Sequence, residues 1–394
     1  MKKLIALLLA VLMVLSMAAC SNGDANTDTN ANTNTDTNNT SNSTSDPADN
    51  AEKVNVSYDL NALGGFDSGV DPASRDTYKI AYMYMRPMAL FQNVSVALQE
   101  LSANHNYEIV EYCANSDIDA LIQNIQMFDT QGVDGYLVVA DPTAAVRTTE
   151  VLKATGKPYV ALLNSLRDDN GSCLIPCVGI DGVVAGGETV AWLIDNHETY
   201  WGDIGDAKVG LLNFNFSANS DFNDRNVGSR AKFVEMLPNG TVFEADGVSG
   251  ALNEQTGYDL AAAIFAANPD IEYWYVAGCI ELYSQGAARA AEALNMEDRV
   301  LITAVGSDVL PAEWDNGYDG CWVSCLALSS YQYAVPCVSA LIAMLDGVIT
   351  AEELWDTTRA EGDQYTFFNV SYGLLTKDNY VEFFEQVKKD AGLA

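Results

Sequence analysis

Basic residues are scarce in this chain: 20 lysines and arginines stand against 54 aspartates and glutamates, a formal net charge of −34. A surface of that charge repels phosphate backbones and anionic lipid headgroups. The composition therefore argues against nucleic acid as a partner and against membrane binding through basic patches. A well-solvated surface is the simplest explanation of the acidic excess, so we infer nothing from it about the charge of a ligand.

Residues that commonly carry catalysis are also few. The chain has only two histidines, His105 and His197, and neither lies in a zinc-binding or catalytic-triad pattern. The glycines from Gly182 to Gly187 lack the spacing of a dinucleotide-binding loop, and no P-loop pattern occurs. These absences argue against an enzyme, a bound metal and a cofactor, and favour a binding protein.

Long apolar runs are missing beyond the N-terminus, so no other segment could cross a bilayer. The first residues are different: Lys2 and Lys3 precede an apolar run from Leu4 to Met17, and Ala18-Ala19-Cys20 follows. A charged start, a short apolar middle and small residues at the cleavage site predict a secretory signal over residues 1–19. An ordinary signal peptide with an incidental Cys20 is one interpretation, and lipidation of Cys20 is the other.

The order Ala18-Ala19-Cys20 resembles the lipobox of bacterial lipoproteins. That resemblance implies that Cys20 is lipidated, becomes the new N-terminus and holds an extracytoplasmic protein at the cell membrane, with no other membrane contact. Residues 20–77 fit a tether, because 21–50 contain no aromatic residue and only small or polar types. Such a composition predicts a flexible spacer.

Seven further cysteines follow Cys20, an odd number that excludes complete internal pairing. Cys173 with Cys177, or Cys321 with Cys325, could form a local disulfide in an oxidising compartment. Most of the seven are expected instead to be small buried apolar residues.

From Tyr78 onward, short β-branched or aromatic runs alternate with segments of helical period, which predicts parallel sheets covered by helices. In the segment 118–130, apolar residues recur every three or four positions, and Asp117 is placed to cap the helix. A second alternating series begins near Ala207 and predicts a second α/β lobe. We expect one lobe to comprise 78–202 and 328–349, and the other 203–327 and 350–394. The expected strands are Tyr78–Met85, Tyr107–Cys113, Gly135–Ala140, Pro158–Leu163, Ala207–Asn213, Thr241–Ala245, Ile271–Ala277 and Val300–Val305.

Ligands of open parallel sheets bind beyond the carboxyl ends of the strands, so the loops after the strands are candidate binding elements. The first contains Arg86 and leads to Phe91, whose ring either stacks on a sugar or base or simply anchors the next helix. The third contains Asp141, which either accepts hydroxyl protons or caps the next helix.

The order of short motifs resembles the type I periplasmic binding proteins, in the subgroup of ribose and galactose binders. The resemblance implies two Rossmann-like lobes with parallel sheets and a hinge, closing on a small ligand. It covers about residues 78 to 350 and rests on Leu90-Phe91, Gly132-Val133-Asp134-Gly135, Asp141-Pro142, Val178-Gly179-Ile180-Asp181, Gly186-Gly187, Arg225-x-x-Gly228, Asn268-Pro269-Asp270-Ile271 and Gly306-Ser307-Asp308.

The same resemblance implies that Arg225 donates hydrogen bonds to ligand oxygens and that Asp308 accepts hydroxyl protons from the other side. Solvation of Arg225 at the surface is the alternative. The chain departs from the family in three places. Glu281 stands where the family usually has an asparagine-aspartate pair, and Asn164 begins the loop where many sugar binders have aspartate and arginine. The glutamine expected near 328 is missing from Ala327-Leu328-Ser329-Ser330.

The resemblance thus implies a monomeric solute-binding lipoprotein that delivers a small polar ligand, first of all a monosaccharide, to an ABC transporter permease. A ligand-sensing subunit of a membrane receptor is an alternative. So is a binder of a nucleoside or of an autoinducer-like sugar derivative.

Overall fold

The computed structural model describes residues 63–356 and 359–393, so the signal, Cys20 and most of the tether lie outside the described residues. Six parallel strands form the first sheet, in the order β11-β5-β4-β3-β1-β2. The strands are β1 (Tyr78–Tyr84), β2 (Tyr107–Cys113), β3 (Gly135–Val139), β4 (Tyr159–Leu162), β5 (Cys177–Gly179) and β11 (Phe367–Asn369).

Four parallel strands form the second sheet, in the order β7-β6-β8-β9. They are β6 (Val209–Asn215), β7 (Thr241–Asp246), β8 (Tyr273–Gly278) and β9 (Val300–Ala304). A short antiparallel pair, β10 (Cys325–Leu326) with β12 (Leu374–Leu375), continues from β9 through a bridge between Val305 and Leu326. The eight strands expected from the sequence are therefore all present, with ends shifted by no more than two residues.

Ten helices cover the sheets in the described part of the chain. The predicted amphipathic helix at 118–130 buries Leu121, Ile125 and Phe128, and the Asp117 carboxylate accepts the Ala120 N–H at 2.9 Å. The helices are α1 (Ala89–His105), α2 (Ile118–Thr130), α3 (Ala145–Ala154), α4 (Gly182–Trp201), α5 (Ser220–Met236), α6 (Glu254–Ala267), α7 (Glu281–Ala293), α8 (Leu310–Asp315), α9 (Ser330–Leu345) and α10 (Tyr380–Asp390).

Two elements lie in the lobe opposite to the one expected. Helix α4 packs on the second sheet, where Val190 and Leu193 share a core with Leu211 and Tyr275, although residues up to 202 were assigned to the first lobe. Strand β11 pairs with β5 in the first sheet, although 350–394 were assigned to the second lobe. Both boundary predictions were wrong there. The partner of β11 is β5, far away in the chain. Helix α4 stands between the two strand series, packs on β6 and α5 that follow it, and carries no local pattern that tells which sheet it covers.

The chain consequently passes between the lobes at residues 180–181, 327–329 and 370–373. Helix α9 returns to the first lobe, as the sequence predicted, and its apolar residues pack with α1, β3 and β4. Loops that follow strands of both sheets line the same cavity.

Helices α4 and α5 pack unusually closely because glycine occurs at their crossing. A Cβ on Gly186 would approach the Arg225 carbonyl oxygen, and a Cβ on Gly228 the Val183 carbonyl oxygen, far more closely than real Cβ atoms come. The Ser229 hydroxyl hydrogen-bonds across the crossing to the Gly186 carbonyl at 3.0 Å, and within its own helix to the Arg225 carbonyl at 2.9 Å. This crossing fixes the position of the Arg225 backbone.

We expect Gly186→Ala to lower the free energy of unfolding by about 1–3 kcal/mol, the usual cost of overpacking. The adjacent Gly187→Ala is the matched control, since its Cβ would meet the Gly228 carbonyl at an ordinary 3.5 Å. That variant should be neutral or stabilised by up to about 1 kcal/mol, because alanine favours helix over glycine. Urea unfolding checks both, and equal effects of the two substitutions would contradict the close crossing.

Candidate functional site

A cavity of about 310 Å³ lies between the two lobes. Its walls come from the loops after β1, β4, β8 and β9, so it occupies the expected place beyond the carboxyl ends of the strands. Five of the seven predicted binding residues line it: Phe91, Asn164, Arg225, Glu281 and Asp308.

Phe91 anchors the next helix, one of the two roles that the sequence left open, and it also lines the cavity. The residue is 7% exposed, and its ring meets that of Tyr84 edge to face at 6.2 Å between centroids. Its backbone carbonyl accepts the Tyr82 hydroxyl at 2.9 Å. The residue therefore anchors the start of α1 to the sheet and also presents aromatic surface to the cavity.

Asn164 is placed by an unusual turn at the end of β4. The preceding residue, Leu163, has a φ of +69°, in the left-handed region that leucine rarely adopts. Such strain persists only where surrounding contacts hold it, and it is common at binding sites. The Asn164 amide nitrogen donates to the Ala140 carbonyl at 2.9 Å, which fixes the side chain at the wall of the cavity.

Arg225 is the most unusual side chain of the site. It is 7% exposed, so surface solvation is excluded, and burial lowers the pKa of its guanidinium. Nη1 donates to the Cys279 carbonyl at 2.8 Å, and the guanidinium carbon lies 5.0 Å from the centre of the Phe222 ring. Nε is buried and has no hydrogen-bond partner among the described residues. A buried donor without a partner is costly, so the Arg225 side chain is incompletely satisfied within the protein.

The nearest compensating charge for Arg225 is Asp221, one turn earlier on α5. Asp221 attracts the guanidinium electrostatically, yet no carboxylate of the described residues lies within 4.0 Å of the Arg225 nitrogens. The Asp221 carboxylate is instead bonded across the cleft to Ser165, to its hydroxyl at 2.7 Å and its backbone N–H at 3.2 Å. Burial raises the pKa of Asp221 despite these bonds.

Glu281 and Asp308 are the two carboxylates that line the cavity, and Glu281 is hydrogen-bonded to the protein's own backbone. Its carboxylate accepts the backbone N–H groups of Asp308, Val309 and Leu310 at 2.8, 3.0 and 3.0 Å. Burial, together with the neighbouring Asp308 charge, raises the pKa of Glu281 to about 7, although the three backbone donors act to lower it. Glu281 thus holds the loop that carries Asp308 into the cavity wall.

Asp308 links the two lobes in this structure. Its carboxylate accepts the Asn93 side-chain amide of α1 at 2.6 Å. Burial raises the pKa of Asp308 to about 6, and the bond from Asn93 opposes this shift. One oxygen of Asp308 therefore already has an inter-lobe partner.

Arg86 and Asp141 are not among the residues that line the cavity, so this arrangement does not support their prediction as binding residues. They pair with each other at 3.1 Å. Asp141 also accepts the Thr143 N–H at 3.0 Å and its hydroxyl at 2.7 Å, and caps the short 3-10 helix Pro142–Ala144. The capping alternative for Asp141 is confirmed, and its charge is paired with that of Arg86.

Sequence reasoning missed most of the apolar wall. Phe222 stacks beside Arg225, and Leu252, Leu282 and Leu328 close the cavity from the second lobe and the inter-lobe connection. An apolar residue in a loop carries no pattern of its own. The missing glutamine near Leu328 was the one signal that this wall would be less polar than usual.

The cysteines and the possible metal-binding side chains form no further site in the described residues. Six of the seven described cysteines are buried free thiols, as expected, and Cys113 is partly exposed. In residues 63–356 and 359–393 no three potential ligand side chains cluster for a metal ion, and no helix has the length and apolarity of a membrane span.

The sequence matches the family described as periplasmic binding protein domain over residues 87–348. The chain belongs to the periplasmic binding protein family. Members of that family bind solutes outside the cytoplasmic membrane, which confirms the expected binding protein in place of an enzyme. Among curated proteins none matches the sequence.

Solved structures confirm the two-lobed α/β fold. An ABC transporter solute-binding protein from Actinobacillus succinogenes 130z, with bound D-allose, is 14% identical, with a TM-score of 0.61 over 78% of this chain and 100% of that chain. An arabinose transporter binding protein from Shewanella sp. ANA-3, bound to L-arabinofuranose, is 16% identical, with a TM-score of 0.60 over 80% of this chain and 97% of that chain. An ABC transporter solute-binding protein from Bacillus halodurans C-125, with bound myo-inositol, is 14% identical, with a TM-score of 0.59 over 79% of this chain and 98% of that chain.

Titration of Glu281 should make stability depend on pH. Because its pKa is raised to about 7 in the folded protein, the stability it contributes is complete below its unfolded pKa, near 4.5, and is lost as pH rises through 7. Between pH 5 and 8 we expect wild type to lose about 2 kcal/mol relative to Glu281→Gln. Urea unfolding at pH 5 and at pH 8 measures this difference in the free energy of unfolding. The control Glu150→Gln changes an exposed residue and should lose as much stability as wild type. If Glu281→Gln also loses as much stability as wild type, the raised pKa of Glu281 is contradicted.

Proposed function

We propose that the protein is an extracytoplasmic solute-binding lipoprotein that captures a monosaccharide between its lobes and delivers it to an ABC transporter permease. The observation that carries the proposal is the inter-lobe cavity with the buried, incompletely bonded Arg225 in its wall. The bound allose, arabinofuranose and inositol of the structural relatives support the same class of ligand.

The side chains around Arg225 suit hydroxyl groups. A guanidinium is a planar fork whose donors match two neighbouring oxygens. Asp308 offers a carboxylate oxygen as acceptor, and Phe91 and Phe222 offer aromatic surface to the apolar face of a sugar ring. We therefore propose Phe91, Asn164, Arg225 and Asp308 as ligand contacts, with Glu281 holding the Asp308 loop.

Delivery requires that the lobes close and open around the ligand. Closure in two-lobed binding proteins turns on a few connecting residues, and 180–181, 327–329 and 370–373 form these connections here. The bonds from Asn93 to Asp308 and from Ser165 to Asp221 join the lobes across the cleft. We propose that these contacts help the closed, ligand-bound form to present its surface to the permease.

Arg225→Ala tests the proposed site. Loss of the guanidinium removes hydrogen bonds between a charged donor and the buried ligand, each worth about 1.5–3 kcal/mol, so affinity for the bound sugar should fall at least tenfold. Titration calorimetry measures the affinity once a thermal-shift screen of monosaccharides has identified a ligand. Arg230→Ala is the control, because Arg230 lies on the same helix with its side chain 62% exposed. Unchanged affinity in Arg225→Ala would refute the site.

We further propose that Cys20 carries the lipid anchor, on the basis of the lipobox-like Ala18-Ala19-Cys20 and the polar tether behind it. In a bacterium that processes lipoproteins, Cys20→Ser should move the protein from the detergent-phase membrane fraction to the soluble fraction. Cys113→Ser should leave the distribution unchanged. Retention of Cys20→Ser in the membrane fraction would contradict lipidation at this residue.

A further inference from the structure

The first half of helix α10 is anchored to the second lobe. The Tyr380 ring lies 5.2 Å from the Trp314 ring between centroids, and the Tyr380 hydroxyl donates to the Asp315 carboxylate at 2.6 Å. Phe383 and Phe384 pack against the core of the same lobe. These aromatic side chains hold the start of the helix on α8 and on the apolar core beside it.

The end of the same helix is anchored to the first lobe. Ala391 is 1% exposed and lies in the first-lobe core, and Leu393 packs against that core. The Lys388 ammonium lies 3.6 Å from the Glu100 carboxylate of α1 and 5.9 Å from the centre of the Tyr331 ring of α9. Helix α10 and the residues after it therefore join the lobes in addition to the three chain connections.

A gap of about 360 Å³ lies beside α10, between the lobes. Phe384 and Lys388 line it from α10. Asn93 of the first lobe and Asp308 of the second also line it, and their side chains are hydrogen-bonded to each other. Asp308 lines the ligand cavity as well. The space beside α10 thus adjoins an inter-lobe bond made by a residue of the ligand cavity.

The two ends of α10 cannot both keep their contacts when the lobes separate on this side. A helix is held together by its own backbone hydrogen bonds and moves as one body. Three aromatic side chains hold the second-lobe end, whereas Ala391, Leu393 and a partly exposed ion pair hold the other. Apolar burial stabilises in proportion to its area, and an exposed ion pair adds little. The first-lobe end is therefore the weaker of the two.

We propose that α10 is a brace between the lobes, and that the cleft opens fully only when residues 391–393 leave the first lobe. The brace favours the closed arrangement and slows the exchange of any ligand that the cavity holds. This inference concerns the motion of the lobes and goes beyond the proposed function, because it holds whatever the ligand is. The family match ends at residue 348 and assigns no role to this helix.

Hydrogen exchange at the Ser165 amide reports separation of the lobes without a ligand. This N–H belongs to the first lobe and donates to the Asp221 carboxylate of the second lobe at 3.2 Å, and Ser165 is only 2% exposed. Opening of the cleft exposes it to water, whereas the amides of β3 exchange when the first lobe itself unfolds. NMR measures both exchange rates in the whole chain.

A variant that ends at Asp390 lacks the first-lobe anchor and keeps the second-lobe contacts. We expect its Ser165 amide to exchange about tenfold faster than that of wild type, with β3 unchanged, because the loss of buried apolar contacts favours the open cleft. Leu393→Ala should give a smaller acceleration. Leu393→Met is the matched control, since it keeps the apolar contact, and it should exchange as wild type does.

Circular dichroism first shows that the variants are folded, and Leu393→Ala carries the test if the shortened chain is not. Unchanged exchange at Ser165 in the folded variants would overturn the brace. Equal acceleration at Ser165 and in β3 would also overturn it, since the end of α10 would then stabilise the whole fold. Neither result depends on a ligand, so the affinity of Arg225→Ala remains a separate test of the proposed function.

Discussion

The close crossing of α4 and α5 is the contact on which the rest of the site depends. Glycine at Gly186 and Gly228 lets the two helix backbones touch, and this holds Arg225 with its guanidinium buried beside Phe222. A charged side chain in such a place needs fixed partners. The Cys279 carbonyl supplies one, and under the proposed function a ligand oxygen supplies another. The packing of two helices therefore determines where the Arg225 guanidinium stands in the cavity wall.

The other polar residues of the cleft act mainly on the protein itself. Glu281 holds the loop before α8, Asp308 reaches Asn93, and Asp221 reaches Ser165. These bonds form between elements that belong to different lobes or different loops, so they couple the shape of the cavity to the relative position of the lobes. In a family that works by closing on its ligand, such coupling is part of the binding reaction.

Most of the fold could be predicted because the spacing of apolar residues along the chain distinguishes strands from helices. Buried parallel strands are continuous apolar runs, and α2 shows its buried face and its Asp117 cap in the sequence alone. The exceptions were β11, whose partner β5 is far away in the chain, and the lobe of α4, a helix between two strand series that could cover either sheet. Strands of two or three residues, such as β10 and β12, are too short to leave a pattern.

The sequence predicted which loops line the cavity, but it did not predict how their side chains pair or which apolar residues complete the wall. Family resemblance predicted Arg225 and Asp308 as site residues, and both line the inter-lobe cavity. The partners that a side chain meets in the folded protein cannot be read from the local sequence. Arg86 and Asp141 are neighbours in space and 55 positions apart in sequence, and they satisfy each other. The apolar wall likewise follows from the meeting of several loops, which no single segment reveals.

A crystal structure of the protein with a bound sugar is the most direct test of this account. We expect the sugar between Phe91 and Phe222, with the Arg225 guanidinium donating to its oxygens and the Arg86–Asp141 pair intact outside the cavity. A sugar held elsewhere, or one contacting Arg86 and Asp141 while Arg225 remains unbonded to it, would contradict the account.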